Sequence, residues 1–150
     1  MSEFEVRVIE TEDTYALRRA LLRPHLEIAE MDWPGDDLAD TLHVGGFRHD
    51  RLVGIATTHR QRLPGSTEVE AWRVRGLAVD HGQRGYGLGG MLLRRCMEHG
   101  ATMGARIVWC DAKVAAYGFC ERYGFRRFGD PFELPDIGPH YLMFVELKEP

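Results

Sequence analysis

The chain has 150 residues, 44% of them hydrophobic and 28% charged, a composition that suits a single globular domain over residues 1–150. Its formal net charge of −4 argues against a general nucleic-acid scaffold, so no nucleic-acid partner is expected. No apolar run is long enough to span a bilayer and the N-terminus lacks the apolar core of a signal peptide, so no membrane partner is expected.

Hydrophobic periodicity divides the chain into strands and helices. Apolar alternation and short apolar runs predict six strands, at residues 4–9, 41–48, 52–60, 69–79, 107–110 and 141–147. Helical spacing predicts three helices, at residues 11–22, 88–104 and 114–123. Thr11 is the expected cap of the first helix, and His49 with Asp50 is the expected turn of a hairpin. The order predicts an α/β (α+β mixed sheet) fold in which an antiparallel meander precedes one βαβ unit.

The chain has three cysteines, Cys96, Cys110 and Cys120, without paired C-x-x-C spacing. Their odd number argues against a disulfide framework, and reduced thiols in the cytoplasm are expected. The seven histidines form no H-x-x-x-H pair. No metal site is therefore predicted.

The segment QRGYGLGG, residues 83–90, places four glycines directly before a predicted helix. Glycine costs a helix roughly 1 kcal/mol per residue relative to alanine, so close approach of the backbone to another group is indicated. The first N–H groups of a helix have no intrahelical partner and lie at its positive end, which suits phosphate or pyrophosphate. Arg84 adds a positive charge. A tight turn that only permits close packing is the alternative.

The glycine spacing Gly85, Gly87 and Gly90 also fits a dinucleotide fingerprint, with Asp111 as its ribose-binding acid. Four residues, 81–84, separate Asp80 at the end of the segment AWRVRGLAVD from Gly85, and the motif follows an antiparallel meander. Too little chain remains for a second mononucleotide-binding half. A P-loop is excluded because no Gly-Lys-Ser/Thr follows.

The pattern Arg-x-x-Gly-x-Gly, formed by Arg84, Gly87 and Gly89, fits better. The segment LAVDHGQRGYGLGGMLLRRCMEHGATMGA resembles the acyl-CoA motif of the GNAT N-acetyltransferase superfamily. AKVAAYGFCERYGF resembles the second helix motif of that family, and DPFELPDIGPHYLMFVEL resembles its closing strands. The resemblance implies a GNAT-like acyl-CoA N-acyltransferase fold, with a mostly antiparallel central sheet, flanking helices and acetyl-CoA as co-substrate.

The strand AWRVRGLAVD changes its apolar phase at Gly76, because Trp72 and Val74 share one parity while Leu77 and Val79 share the other. A β-bulge produces such a change, and glycine often marks one. The alternative is a strand buried on both faces, whose parity carries no information. The resemblance implies that this bulged strand splays from the next one and that a thioester arm lies in the gap.

The resemblance also assigns the residues that hold the co-substrate. In the strand these are backbone groups of Leu77, Ala78 and Val79. In the glycine loop and the following helix start they are Arg84, Gly85, Tyr86, Gly87, Leu88, Gly89 and Gly90. Lys113 stands where the family often has an asparagine.

The implied reaction is direct attack of a neutral amine on acetyl-CoA, so a base or a water chain has to take a proton. Glu68 and Glu70 share one strand face and are candidate bases, although either can equally be a solvated strand-end charge. His140, in the sequence GPHY, is a third candidate whose alternative role is that of a turn histidine. A backbone N–H of the splayed strand is expected to stabilise the oxyanion.

Alignment on Gly124 and Phe125 puts Cys120 at the position where the family commonly has a tyrosine that protonates the departing thiolate. A thiol is a stronger acid than a phenol, with reference pKa values of about 8.5 and 10, but it is shorter. Tyr117 and Tyr123 lie three residues to either side and are alternative acids. Cys120 can equally be a small core residue.

The acceptor is expected to be a small-molecule or peptide amine, and one stretch favours a cationic one. Six carboxylates and no lysine or arginine lie between residues 27 and 40: Glu27, Glu30, Asp32, Asp36, Asp37 and Asp40. A solvated acidic face is the alternative, and Trp33 can contact an acceptor or anchor the loop. The identity of the amine and a homodimer are both left open by the sequence.

The sequence therefore predicts an N-acetyltransferase that moves an acetyl group from acetyl-CoA to a primary amine. The departures at Lys113 and Cys120 keep a second hypothesis open, a non-catalytic module that senses acyl-CoA. A small dinucleotide-binding protein is the third.

Overall fold

The computed structural model describes residues 3–135 and 137–148, over which the chain forms eight strands and three α-helices. The strands are β1 (Phe4–Val8), β2 (Leu42–Arg48), β3 (Arg51–Arg60), β4 (Ala71–Val79), β5 (Ile107–Lys113), β6 (Arg126–Arg127), β7 (Phe132–Leu134) and β8 (Gly138–Glu146). The helices are α1 (Tyr15–Leu22), α2 (Leu88–Thr102) and α3 (Tyr117–Arg122).

All eight strands lie in one sheet, in the order β1-β2-β3-β4-β5-β8-β6, with β7 also paired to β8. Among the described strands, β4 and β5 form the parallel pair and all other pairs are antiparallel. Parallel neighbours need a crossover connection, and α2 provides it. The mixed, mostly antiparallel sheet predicted from the sequence is confirmed.

The two faces of the sheet carry different layers because side chains alternate along each strand. Trp72 and Val74 of β4 pack with Leu92 of α2 in the main core. Arg75, of the opposite parity, points to the other face, where it bonds Asp36 in the segment after α1. We call the face that packs against α2 the α2 face, and the opposite face, which carries the segment after α1, the α1 face. Helix α3 lies on the α2 face, since its Cys120 belongs to the same core.

The predicted β-bulge is present in β4. In the pairing with β3, Ile55 is opposite Ala78 but Thr57 is opposite Arg75, so β4 contains one more residue than β3 over this stretch. Gly76 has a φ of +63°, a left-handed conformation that side-chain-bearing residues rarely adopt. Beyond it Leu77 and Val79 pack against the α2-face core. The bulge therefore switches the face on which the odd-numbered side chains lie.

The start of the first helix differs from the prediction that Thr11 is its cap. Residues Thr11–Thr14 form one 3-10 turn, and α1 begins at Tyr15. The residue before the turn is Glu10, whose backbone N–H donates to Asp13 Oδ2 at 2.9 Å. The Thr11 hydroxyl instead contacts the ring of His43, at 3.2 Å from Nε2. The local cap is therefore a capping box formed by Glu10 and Asp13, one residue before the predicted position, and the Thr11 hydroxyl makes a tertiary contact instead.

The C-terminal elements also have other bounds than expected. Strand β5 extends to Lys113 because its pairing with β8 continues as far as His140. Residues Val114–Ala116 form a 3-10 turn, which leaves α3 shorter than the predicted helix. Strands β6 and β7 were not predicted, since two and three residues are too few to show alternation. The predicted hairpin turn at His49 and Asp50 is confirmed by φ values of 50° and 62°.

Candidate functional site

Strands β4 and β5 pair only at their beginnings. The register joins Ala71 to Ile107, Trp72 to Val108 and Arg73 to Trp109. Beyond these pairs, β4 continues its pairing with β3, and β5 continues its pairing with β8. A wedge-shaped gap, which we call the cleft, therefore opens between the second halves of β4 and β5. The splayed strand predicted from the sequence is confirmed.

The backbone of β4 beyond the bulge lines one wall of the cleft. The N–H of Asp80 donates to Val53 O at 2.8 Å, so this edge of residue 80 faces β3. Successive residues of an antiparallel strand alternate in the direction of their N–H and C=O groups. Ala78 therefore points its backbone groups toward β3, whereas Leu77 and Val79 point theirs toward the cleft. Two of the three predicted strand positions thus offer backbone groups to a ligand.

The glycine loop lies at the mouth of the cleft, between β4 and α2. After a 3-10 turn at His81–Gln83, Gly85 and Gly87 have φ values of +89° and +91°. A Cβ at either glycine would meet no atom within 4 Å, so the loop is open on that side. Gly87 precedes the first residue of α2, whose first N–H groups have no intrahelical acceptor. The arrangement fits a phosphate-bearing ligand.

The residues that follow in this motif pack against the protein. Leu88 is 1% exposed and belongs to the core. A Cβ on Gly89 would lie 3.5 Å from the ring of Phe119, and one on Gly90 would overlap the hydroxyl of Tyr123. The two glycines therefore allow α3 to lie directly against the first turn of α2. Their side of the helix is not open to a ligand, although their backbone N–H groups belong to the first turn.

Charged and aromatic groups surround the loop. Arg84 donates through Nε to the carbonyl of Val79 at 2.9 Å, which holds its guanidinium beside the end of β4. Tyr86 is 71% exposed. A shallow cavity of about 330 Å³ adjoins the loop and is lined by Arg48, His49, Arg51 and Gln83. Arg48 is paired with Glu3 at 2.8 Å, so Arg84, Arg51 and the helix start are the groups that make the surroundings of the loop electropositive.

Cys120 is 7% exposed and lies next to a second thiol, that of Cys110. The two Sγ atoms are 4.0 Å apart, and Cys110 is the first residue of β5 beyond the last pairing with β4. The contact with Cys120, and next burial, raise the pKa of Cys110, whereas the contact with Cys110 lowers the pKa of Cys120. Burial raises the pKa of Cys96 to about 12, so that thiol is inert.

The two tyrosines flanking Cys120 point to different places. Tyr117 packs edge-on against Tyr141 of β8, with ring centroids 5.4 Å apart. Tyr123 lies 5.3 Å from Phe119 and reaches the first turn of α2. Lys113 is exposed at the end of β5, at the wide end of the cleft. Cys120 is thus near β5 through Cys110, Tyr117 lies toward β8, and Tyr123 lies toward α2.

The two candidate glutamates lie at the other end of β4. Glu68 and Glu70 precede its first residue, beside the closed end of the cleft. Glu70 forms an ion pair with Arg60, with Oε2 3.2 Å from Nη1, and Glu68 Oε2 accepts the backbone N–H of Glu70 at 2.9 Å. From Glu70 to Gly76 an extended strand rises about 20 Å. This placement does not support either glutamate as the general base.

His140 lies nearer to the open half of the cleft. It is opposite Lys113 in the β5–β8 pairing and 4% exposed. The parity of β5 places this pair on the α1 face, on the same side as Asp111. Nδ1 donates to the carbonyl of Gly138 at 2.9 Å, which leaves Nε2 with the lone pair. Of the three predicted bases, it is the one placed beside the splayed half of β5.

A cluster of charged residues on the α1 face was not predicted. Arg18 and Asp36 form a buried bidentate pair, with N–O distances of 2.6 and 3.0 Å. Arg75 donates to the same carboxylate at 2.9 Å, and Arg73 to Asp111 at 3.3 Å. Asp36 was expected at the mouth of the acceptor site, but it is 3% exposed and its charge is used inside the protein. This corrects the interpretation of the acidic stretch.

Two further residues complete this cluster. The Trp33 ring lies 4.0 Å from the Arg18 guanidinium and 5.6 Å from that of Arg75. Burial, and next the charge of Arg75, lower the pKa of His59 to about 4, so this histidine is neutral at pH 7. The signal in the sequence was the alternation of Trp72 and Val74 with two arginines. An arginine on every second residue of a central strand indicates a polar contact on one face.

Within the described residues no three His, Cys, Asp or Glu side chains converge on a point that could hold a metal ion. The helices of residues 3–135 and 137–148 include none with the length and apolarity needed to cross a membrane.

The comparisons with known proteins agree with this geometry. Residues 7–125 match the model of the acetyltransferase (GNAT) family. The chain is 35% identical over 144 residues to the uncharacterized N-acetyltransferase YitI of Bacillus subtilis (strain 168), an alignment that covers 96% of this chain and 97% of the relative.

Solved structures share the fold at low sequence identity. Escherichia coli ElaA superimposes with a TM-score of 0.76 at 19% identity and covers 95% of this chain and 99% of its own. The acetyltransferase yncA of Salmonella typhimurium, solved with acetyl-CoA, gives a TM-score of 0.75 at 15% identity, with 99% and 96% covered. The splayed strands, the glycine loop and the family match over most of the sequence lead to one conclusion: this chain belongs to the acetyltransferase (GNAT) family.

Proposed function

We propose that this protein transfers the acetyl group of acetyl-CoA to a primary amine by direct attack. The observation that carries the proposal is the cleft between β4 and β5, which has the backbone N–H groups of Leu77 and Val79 on one wall and the glycine loop at its mouth. The extended arm of a thioester fits between the two strands, and its phosphate groups fit at the glycine loop. The family membership and the acetyl-CoA-bound fold relative support the same co-substrate.

The glycine loop is the proposed holder of the pyrophosphate. N–H groups at the start of α2 point at an anion, and their partial positive charge is strengthened by Arg84. Gly85 and Gly87 keep that side free of side chains. In the adjacent cavity Arg51 adds attraction for a polyphosphate, whereas the charge of Arg48 is paired with Glu3 at 2.8 Å.

The backbone of Leu77 and Val79 is proposed to position the arm of the thioester and to stabilise charge on the carbonyl oxygen. An N–H group fixed in a dry cleft stabilises a developing oxyanion more than water does, because it needs no reorganisation. The bulge at Gly76 is what points these groups into the gap. The chain thus supplies an oxyanion site without a dedicated side chain.

Two proton steps remain, and each has one favoured residue. His140 is the proposed acceptor of the amine proton, through Nε2 and either directly or through water. Cys120 is the proposed donor to the departing thiolate, since contact with Cys110 lowers its pKa. Tyr117 and Tyr123 remain the alternative donors. Exposed carboxylates of the acidic stretch, Asp32 and Asp37, are proposed to attract a cationic amine.

A binding-only acyl-CoA sensor is the second candidate, because Cys120 is largely buried and shorter than a phenol. Thiol release from acetyl-CoA, measured over a panel of primary amines, separates the two. We expect amine-dependent release that matches the amount of acetylated product. CoA binding without release for any amine would favour the sensor. A thermal shift with NAD and none with CoA would overturn both.

A further inference from the structure

The charged cluster on the α1 face is electrically unbalanced. It contains three guanidinium groups, those of Arg18, Arg73 and Arg75, and two carboxylates, those of Asp36 and Asp111. His59, packed among them, is neutral. One positive charge is therefore in excess, in a region where the side chain of Arg75 is 9% exposed and that of Arg18 is fully buried. Burying an unpaired charge is costly, so the cluster favours the binding of an anion.

The hydrogen bonds of the cluster are incomplete as well. The Nε atoms of Arg18, Arg73 and Arg75 are buried and have no partner among the described residues. The bonds that Arg73 does make are long, at 3.2 Å to Gln61 Oε1 and 3.3 Å to Asp111 Oδ1. Such bonds are weak and exchange readily for a better acceptor. Arg73 is also more accessible than Arg75, with 22% of its side chain exposed against 9%.

The position of these arginines relates them to the cleft. Arg73 is opposite Trp109, the last residue of β5 that pairs with β4. Arg75 is the next β4 residue on the same face and lies beyond that pairing. Both therefore flank the narrow end of the cleft on the α1 face, whereas the glycine loop leads into α2 on the opposite face. A group carried through the cleft from the α2 side would reach the α1 face here.

We propose that Arg73 and Arg75 bind a carboxylate of the acceptor, so that the acceptor is a small primary amine that also carries a carboxylate. This inference rests on the proposed acetyltransferase function. The planar guanidinium matches a carboxylate with two parallel hydrogen bonds. One excess positive charge is balanced by one monoanion, whereas a phosphate dianion would reverse the imbalance. The exposed Asp32 and Asp37 would attract the ammonium end of the same molecule.

The test compares matched acceptors, a panel of amino acids and the corresponding amino-acid amides, by kcat/KM from thiol release. The amides keep the amine and lose the anion. We expect the carboxylates to be better substrates by about tenfold or more, because hydrogen bonds to charged groups are lost with the amides. Equal or better rates with the amides would overturn the carboxylate subsite and leave the acetyltransferase proposal intact. No turnover with any amine would overturn both.

Variants test whether Arg73 is responsible for the preference for carboxylate acceptors. Arg73→Gln should raise the KM of carboxylate acceptors about tenfold, with the KM of the amides and the Kd of CoA unchanged. Asp111→Asn removes a competing anion and should lower the KM of carboxylate acceptors. Arg126→Gln, an exposed arginine paired with Glu146 on β8, is the matched control and should change neither KM. If Arg73→Gln folds and binds CoA but keeps the same preference for carboxylates, Arg73 is not the anion site.

Discussion

Asp36 has no exposed side-chain surface, and its two oxygens accept three hydrogen bonds from Arg18 and Arg75 and a fourth from the backbone of Trp33. Burial alone would raise the pKa of this carboxyl, but the bonds from Arg18, Trp33 and Arg75 outweigh it and lower the pKa to about 2. The residue joins α1, the segment after it and β4. Its charge is therefore part of what holds the α1 layer on the sheet.

The pH dependence of stability follows from this pKa. Because the folded-state value lies below the ordinary one, the carboxylate contributes about 2 kcal/mol that is fully present above about pH 4 and is lost as the pH falls toward 2. Asp36→Asn should lower the free energy of unfolding at pH 7 by about 3 kcal/mol, since it leaves buried arginines uncompensated. Urea unfolding at several pH values measures both effects.

The exposed neighbour Asp37 provides the control for that experiment. Asp37→Asn should change the free energy of unfolding by less than about 0.5 kcal/mol. A small loss for Asp36→Asn, similar to that of Asp37→Asn, would contradict a structural role for the Asp36 carboxylate.

The thiol pair makes an oxidation experiment informative about Cys120. With CoA and a mild thiol oxidant of the azodicarboxamide type, two thiols give two electrons and two protons to the oxidant and form one disulfide. We expect protein that gains one CoA by mass, with no adduct in Cys120→Ser and an unchanged adduct in Cys96→Ser. Cys110 competes for the same sulfur, 4.0 Å away, so Cys110→Ser should increase the adduct.

An adduct mapped to Cys96 or Cys110 would show that Cys120 does not lie beside the CoA thiol. A loss of only two hydrogens by mass from the wild-type protein would indicate a disulfide between Cys110 and Cys120 instead of a CoA adduct. If Cys110→Ser also forms no adduct, Cys120 is a core residue and not part of the site. Tyr117 and Tyr123 would then be the acids to test through the upper limb of the pH–rate profile.

At the scale of elements, the glycine loop and the start of α2 act as one unit. Gly87→Val should raise the Kd of CoA at least tenfold, about 1.4 kcal/mol, because a branched side chain would occupy the open side of the loop and oppose its φ of +91°. Gly82→Val is the matched control, since Gly82 lies in the same loop, has open space and needs no left-handed φ. Calorimetric titration of folded variants measures both, and equal Kd values would refute phosphate binding by this loop.

Elements whose sequence pattern lies within a few neighbouring residues were predicted, whereas elements that depend on contacts between distant residues were not. The hairpin, the bulged strand and the helix after the glycine loop were predicted, because turn residues, parity and helical spacing are each encoded within a few neighbours. The segment at residues 23–41 was not, since Asp36 and Trp33 take their places through contacts with Arg75 and Arg18, which are far away in sequence. Its acidic composition suggested a solvent-facing surface that Asp36 does not share.

At the scale of the whole molecule, the two proposed substrates approach from opposite faces of the sheet. The glycine loop leads to α2, and the arginine pair lies under the segment after α1. Binding of an acceptor should therefore leave the Kd of CoA unchanged within about twofold, or 0.4 kcal/mol. Titration of CoA with and without a saturating N-acetylated amino acid measures this. A large decrease in CoA affinity would indicate that the two ligands share one entrance.

The fold was predictable as a whole, and the co-substrate side of the site was predictable with it, because a glycine-rich helix start has few other uses. The catalytic side chains were less so. Glu68 and Glu70 precede β4 at the closed end of the cleft, a placement that depends on where the strand begins and that composition does not reveal. The pairing of Cys110 with Cys120 and the charge surplus around Arg73 arise from tertiary packing between elements.

The bulge at Gly76 reverses the relation between residue number and sheet face along β4. Upstream of it the odd positions place Arg73 and Arg75 on the α1 face; downstream the odd positions place Leu77 and Val79 on the α2 face and their amides in the gap. The same nine residues in a regular strand, with Gly76 retained but without the bulge, would keep one alternation of faces throughout. Every side chain from Leu77 to Val79 would then lie on the opposite face, and the amides of Leu77 and Val79 would point toward β3 instead of into the cleft.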